Sequence, residues 1–300
     1  MKRIAFPALS LLALGACVAT PPPAPMAAPA AAQTTDDQAI AVERIKPFQY
    51  LYGSGEAAAV SIQTYHALIG FARAQVAARP ADSVILADGS TLAAPHFVPC
   101  GDKPFAAVFD VDETVILNLG LEARAAAGES TGGGMLDRWA ATGANAVAPV
   151  PGAVYAIDAL RQMGVTVIFN TNRGSDTADG TAAAIAAAGL GRAVHGETLF
   201  LSGDDAMGGR KDGRRWTVAA KYCVIAMGGD QLGDFSDLFN VRDLPTADRR
   251  RAASSAWAAQ LWGSGWFMLP NPAYGPSLKG TIDQIFPADK RWTDGDGSTK

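Results

Sequence analysis

Asp110 and Asp112 stand one residue apart at the end of the apolar run Phe105-Ala106-Ala107-Val108-Phe109. In extended chain, residues i and i+2 point the same way, so the spacing predicts two carboxylates aimed at one point with Val111 turned away. Charges at the end of a buried strand are unfavourable unless a cation or a reaction uses them. A carboxylate beside a divalent cation can attack phosphorus and form an acyl phosphate. A second acid can protonate the leaving alcohol and then deprotonate water. Asp110 suits the first role and Asp112 the second. An oxygen-rich setting suits Mg²⁺, which takes one or two carboxylates together with waters and substrate phosphate.

Other segments offer matching parts. Asp230 follows Gly228-Gly229 and is the natural second protein ligand, with Asp234 close behind. Thr171 can donate a hydrogen bond to a phosphoryl oxygen, and Asn172 follows it. Lys211 opens a helical segment, where its charge and the backbone amides both favour an anion. Each part alone has a plain structural reading: a Thr-Asn pair is a common turn, and Gly-Gly-Asp is often only a loop. Their shared order and placement argue for one site.

The elements that must position these residues alternate. Strands are expected at Phe105–Val111, Val165–Asn170, Thr198–Ser202 and Tyr222–Met227. Helices are expected at Ser54–Ala78, Gly152–Met163, Thr177–Ala188 and Lys211–Lys221. Such alternation predicts an α/β fold with a parallel sheet and helices on both faces, and ligands then bind at the carboxyl ends of the strands. The insert at 119–149 carries Gly132-Gly133-Gly134 and a short helical piece near Trp139, and reads as a cap over those ends. Tyr65 and His66 read as a packing and a surface residue.

The chain has 300 residues, 49% of them apolar, and a formal charge of −4. That supports a sizeable core and excludes a basic nucleic-acid binder. Lys2 and Arg3 precede the apolar stretch Ile4–Ala13 and the small residues before Cys17, the anatomy of a secretory signal. Its ending resembles a bacterial lipobox, in which Cys17 becomes the acylated N-terminus. Val18 after it fits outer-membrane sorting. The Ala/Pro-rich stretch 18–42 reads as a tether, 43–292 as the globular domain and 293–300 as a polar tail. Cys100 and Cys223 are too few for a disulfide framework, and the usual burial of free cysteine favours two thiols over a pair.

DVDET after one strand, FNTNR after a second, KDGRR opening a helix and GGDQLGDF after a third resemble the four motifs of the haloacid dehalogenase (HAD) superfamily. More narrowly, the chain resembles the class C acid phosphatases, the lipoprotein nucleotidase-type enzymes of bacterial surfaces. The Cys17 lipobox, Ser54-Gly55-Glu56-Ala57, Pro149-Val150-Pro151-Gly152-Ala153 and Pro270-Asn271-Pro272-Ala273-Tyr274-Gly275 carry that narrower match. The resemblance implies a Rossmann-like HAD fold with a small cap and Mg²⁺-dependent hydrolysis of small phosphomonoesters, 5′-nucleotides among them. It implies Asp110 as the phosphorylated nucleophile. Asp112 becomes the acid and base, also lending its backbone carbonyl to Mg²⁺. Asp230 and Asp234 complete the metal site. Thr171, Asn172 and Lys211 (with Arg210 as its rival) hold the phosphoryl group, Arg173 binds substrate, and Tyr274 gives one face to a base. Leu117, Gln231 and the Gly-rich cap depart from the family pattern. Two rivals remain: a phosphotransferase or dehalogenase-type enzyme, and a non-catalytic surface lipoprotein with a decayed site. The acidic fourth motif opposes a dehalogenase, and the retained aspartate pair opposes decay.

Overall fold

Runs of β-branched, aromatic and small apolar residues, broken at intervals by glycine-terminated helices, become a single layered sheet. The computed structural model describes residues 35–241 and 244–292, with side chains from residue 42 onward. The signal, the lipobox and the polar tail lie outside the described residues, as does most of the tether. Residues 35–42 do not continue the tether: helix α1 occupies Thr35–Phe48. From Thr35 to Lys46 there is no proline to interrupt a helix. A short π-helix, Gln49–Gly53, leads into α2 (Gly55–Ala78). Ser54 caps α2 by accepting from the Ala57 N–H at 3.0 Å. Tyr65, Leu68 and Ala72 are fully buried on one face of this helix, and His66 is exposed, as the spacing predicts.

Strands β1 (Asp82–Leu86) and β2 (Phe97–Pro99) form an antiparallel pair. The central sheet is built from β3 (Phe105–Phe109), β6 (Thr166–Gly174), β7 (Leu199–Ser202), β8 (Cys223–Gly229) and β9 (Trp266–Met268). Its order is β7-β6-β3-β8-β9, with every pairing parallel. The chain turns outward in opposite directions on the two sides of β3, so the crevice at its carboxyl end is the switch point where such sheets bind ligands. Between β3 and β6 lies the cap: β4 (Ile116–Leu117) pairs with β5 (Ala148–Pro149), enclosing α3 (Leu119–Ala126) and α4 (Met135–Thr142). Helices α5 (Ala153–Gln162), α6 (Ala178–Ala187) and α7 (Asp212–Lys221) fall close to their expected spans.

Side chains of β3 alternate between two cores, as period-2 geometry requires. Ala107 and Phe109 join α2, α5 and α6 on one face, and Ala106 and Val108 join α7 and the aromatic group of Phe235, Phe239 and Trp266 on the other. The aromatic group anchors the loop after β8: Phe235 meets Trp262 edge-on at 5.0 Å and Trp266 at 5.5 Å. Cys100 and Cys223 form a disulfide, with Cα atoms 4.6 Å apart, contrary to the expectation of two thiols. Burial of both residues at adjoining positions, which sequence distance conceals, makes the pair. The bond ties the approach to β3 to the first residue of β8.

Candidate active site

Strand β3 stops at Phe109, short of the expected Val111. The Asp110 N–H still donates to Gly228 O on the neighbouring strand, at 3.0 Å. The chain then folds back on itself, with Val115 N and Ile116 N both donating to Val111 O at 3.0 and 3.1 Å. Glu113 adopts a left-handed φ of 53° within this turn. Extended-chain geometry therefore fails, and the two carboxylates do not converge on one point. Asp110 pairs with Lys211, and Asp112 pairs with Arg173. Both residues line one cleft of about 620 Å³.

Asp110, Asp230 and Asp234 each offer a carboxylate oxygen, the three lying within 4.8 Å of one another. Gly229 lets Asp234 approach, because a Cβ on it would stand 2.4 Å from the Cβ of Asp234. Lys211 Nζ donates to Asp110 and, at 2.7 Å, to Asp234. The Thr114 hydroxyl stands between the other two acids, 3.4 Å from Asp110 Oδ2 and 3.2 Å from Asp230 Oδ1. Asp230 Oδ2 accepts from Asn271 at 2.7 Å and Gln231 at 3.1 Å. Burial pushes the Asp110 carboxyl well up; Lys211 opposes this, and the charges of Asp234, Asp230 and Asp112 add to it. Burial and then Asp234 push Asp230 up to about 7. Burial lowers Lys211, but Asp110 and Asp234 outweigh it and hold its ammonium above the ordinary range. Three buried carboxylates face one ammonium. The donors are all hard oxygens and the residual charge is negative, so the group fits a divalent hard cation. The Asp112 carboxylate is not in this group, which agrees with the expectation that its backbone carbonyl, not its side chain, faces the metal.

Asp112 belongs to a second network. Arg173 donates to its Oδ1 from Nη2 at 2.7 Å and Nε at 3.0 Å, and Asn118 Nδ2 donates to the same oxygen at 2.8 Å. Burial would raise the Asp112 carboxyl, but Arg173 and its hydrogen bonds, with Asn118, hold it below the usual range. Asn118 Oδ1 accepts from Arg173 Nη2 and from Trp139 Nε1, both at 2.9 Å, tying the cap to the acid. The expected phosphoryl donor Thr171 is fully buried: its hydroxyl donates to Asp112 Oδ2 at 3.3 Å and it does not line the cleft. Strand β6 runs on to Gly174, which turns Thr171 inward and leaves Asn172 and Arg173 at the cleft. Asn172 Oδ1 accepts from Arg214 Nη2 at 2.8 Å. Lys211 is buried in the site and Arg210 is exposed.

The amides opening α7 are not free for a ligand anion as expected. Lys211 N and Asp212 N donate to the two oxygens of Asp237 at 2.9 and 2.7 Å. Arg215, fully buried, joins Asp212 at 2.6 Å to the carbonyls of Gly233 and Asp234 at 3.0 and 2.8 Å. This ionic frame fixes Lys211 and the Asp230–Asp234 loop together. Tyr274 lines the cleft, and its hydroxyl donates to Glu113, whose carboxyl burial and then Asp112 push up to about 8. Sequence reasoning missed site roles for Glu113, Thr114, Asn118, Arg214, Arg215 and Asp237. All lie in or beside quoted motifs, but their partners come from distant segments.

The solved structures similar to this chain include two of the class C acid phosphatase from Bacillus anthracis. One, with tungstate bound, superposes with a TM-score of 0.64 at 21% identity, covering 82% of this chain and 94% of its own. The other gives 0.63 at 22% identity, covering 79% and 87%. At such identity the likeness shows the fold. No curated protein matches the chain. Residues 60–277, most of the chain, match HAD superfamily subfamily IIIB, the acid phosphatases, and with the parallel sheet and the buried acids at its switch point they decide the matter: the chain belongs to that family of phosphomonoesterases.

Proposed function

We propose that this acid phosphatase is Mg²⁺-dependent and works through an aspartyl-phosphate on Asp110. The observation that carries this is the meeting of Asp110, Asp230 and Asp234 around one point, with Lys211 closing the other side. Mg²⁺ held by these carboxylates would neutralise the substrate phosphate and polarise it toward attack. Asp110 attacks phosphorus with one carboxylate oxygen. Lys211 stabilises the charge that develops on the phosphoryl oxygens, and the Asn172 amide offers a further donor. Asp112 gives its proton to the leaving alkoxide and then takes one from the water that hydrolyses Asp110. Arg173 and Asn118 hold its carboxyl in place, and Thr171 acts through Asp112, not on phosphate. In this reading the Asp112 backbone carbonyl is the remaining protein ligand. The low-lying Asp112 carboxyl is protonated most readily in acid, in keeping with an acidic optimum.

The substrates in this reading are small phosphomonoesters, with nucleotides admitted by the aromatic walls of Trp139 and Tyr274. Hydrolysis of an aryl phosphate by residues 18–300 tests it: activity requires Mg²⁺, and Asp110→Asn abolishes it. Turnover that survives Asp110→Asn or chelation would remove the mechanism. The same reading keeps residues 1–17 as a lipoprotein signal acylated at Cys17 and the domain at the outer membrane. The disulfide supports an oxidising compartment. Cys17→Ser is expected to move the protein from the membrane fraction to the soluble one, and an unchanged distribution would refute the anchor.

A further inference from the structure

The floor of the cleft and its cap differ in charge. The floor holds Lys211 and Arg173 among its acids, whereas the cap side presents Glu122 and Asp137 and no lysine or arginine, beside apolar Leu121, Leu136 and Trp139. The nearby cations are engaged elsewhere. Arg124 pairs with Glu129 at 2.5 Å, Arg138 donates to Gly133 O at 3.0 Å, and Arg44 donates to Ala126 O at 3.0 Å.

Glu122, on α3, is only 9% exposed and lines this cleft. Among the described residues its carboxylate has no hydrogen-bond partner. Facing the cleft with no cation beside it, this carboxylate is open to a ligand that supplies a charged donor. Burial, and after it the charge of Asp112, push this carboxyl up to about 7, in keeping with a pocket that lacks a cation.

Resting on the phosphatase reading, we propose that Glu122 selects the leaving group, making phosphomonoesters of amine-bearing alcohols the preferred class. The phosphate sits on the floor against Asp110 and Lys211, and the alcohol extends toward α3. An ammonium there meets Glu122, and the short carbon chain linking it to the phosphate lies along Leu121 and Trp139. A second anion in the same place meets two carboxylates and no cation, and is rejected.

The test compares kcat/KM at pH 8, where Glu122 is ionised, for 2-aminoethyl phosphate, ethyl phosphate and phosphoglycolate in the wild type, Glu122→Gln and Glu122→Ala. The three esters carry a positive, no and a negative charge at the far end of the alcohol, and comparing each protein's ratios with the wild type's removes their intrinsic differences in reactivity. The wild type is expected to prefer the amine ester to ethyl phosphate by roughly tenfold, the size of a charged hydrogen bond, and to disfavour phosphoglycolate. Both variants are expected to bring the amine-to-ethyl ratio near one and to narrow the discrimination against phosphoglycolate. The ratio is taken within each protein, so a general loss of activity cancels. Hydrolysis of the esters with a ratio that the variants leave unmoved overturns this inference alone. Hydrolysis of none of them by the wild type overturns the phosphatase reading, and this one with it.

Discussion

The two sides of the cleft are built on different principles. The floor, from β3, β6, β8 and the start of α7, is cross-linked by charged hydrogen bonds in which nearly every polar side chain has a partner from a distant segment. The cap, from α3 and α4, is rich in Ala and Gly and meets the floor through the Trp139–Asn118 hydrogen bond. Charged hydrogen bonds in low dielectric hold geometry firmly, and chemistry needs that. A cap outside the charged network can differ between relatives without disturbing the floor, and leaving-group choice needs that. In the proposed reading the floor fixes the reaction and the cap fixes the substrate.

Removing Lys211 should break the floor most severely. Lys211→Met leaves three buried carboxylates facing one another, and breaking such a pair costs about 3–5 kcal/mol. Thermal unfolding should show a large loss without metal and a smaller one in excess Mg²⁺, with activity down on the order of 10²–10³-fold. An unaltered melting temperature would show that the ion pairs carry nothing.

The disulfide offers a stabilising element outside the cleft. Cys100→Ala with Cys223→Ala should lower stability by about 2–5 kcal/mol, since the bond closes a loop of 123 residues. Activity per folded molecule should not change, and a changed Mg²⁺ requirement would argue that the bond also shapes the floor.

A smaller effect separates the two sides by pH. Glu113 sits at about 8, and Asp230 and Glu122 at about 7, above the ordinary carboxylate range. Each keeps a proton in the fold that the unfolded chain has already released. Their contribution to stability is therefore full in acid and is lost as pH rises through about 7 to 8. Melting temperatures without metal should fall from pH 5 to pH 8. Mg²⁺ held as proposed would compete with the proton on Asp230, so its stabilising increment should grow over the same range. An increment that is flat or shrinks with pH would place the metal elsewhere.

Much of this was legible in the sequence because it rests on local periodicity. The β3, β6 and β8 runs, the helices between them and the cap insert follow from spacing and from glycine stops. Asp110, Lys211, Asp230 and Asp234 gather because they follow or precede those elements. The illegible part rests on contacts between distant segments. The fold-back of the chain on Val111 overrides the i, i+2 rule and sends Asp112 to Arg173. The extra length of β6 turns Thr171 inward. Asp237 occupies the amides of α7 that a ligand was expected to use. The Cys100–Cys223 bond likewise depends on neighbours that sequence distance conceals.

The central claim is that one carboxylate takes the phosphoryl group while its neighbours hold the charge around it. It is tested most directly by quenching the full-length enzyme in acid during turnover of a phosphomonoester with Mg²⁺, and mapping the covalent adduct by mass spectrometry after reductive trapping. The account predicts modification of the peptide carrying Phe105–Asn118, at Asp110, and its loss in Asp110→Asn. Steady turnover with no adduct, or an adduct on another residue, would contradict it.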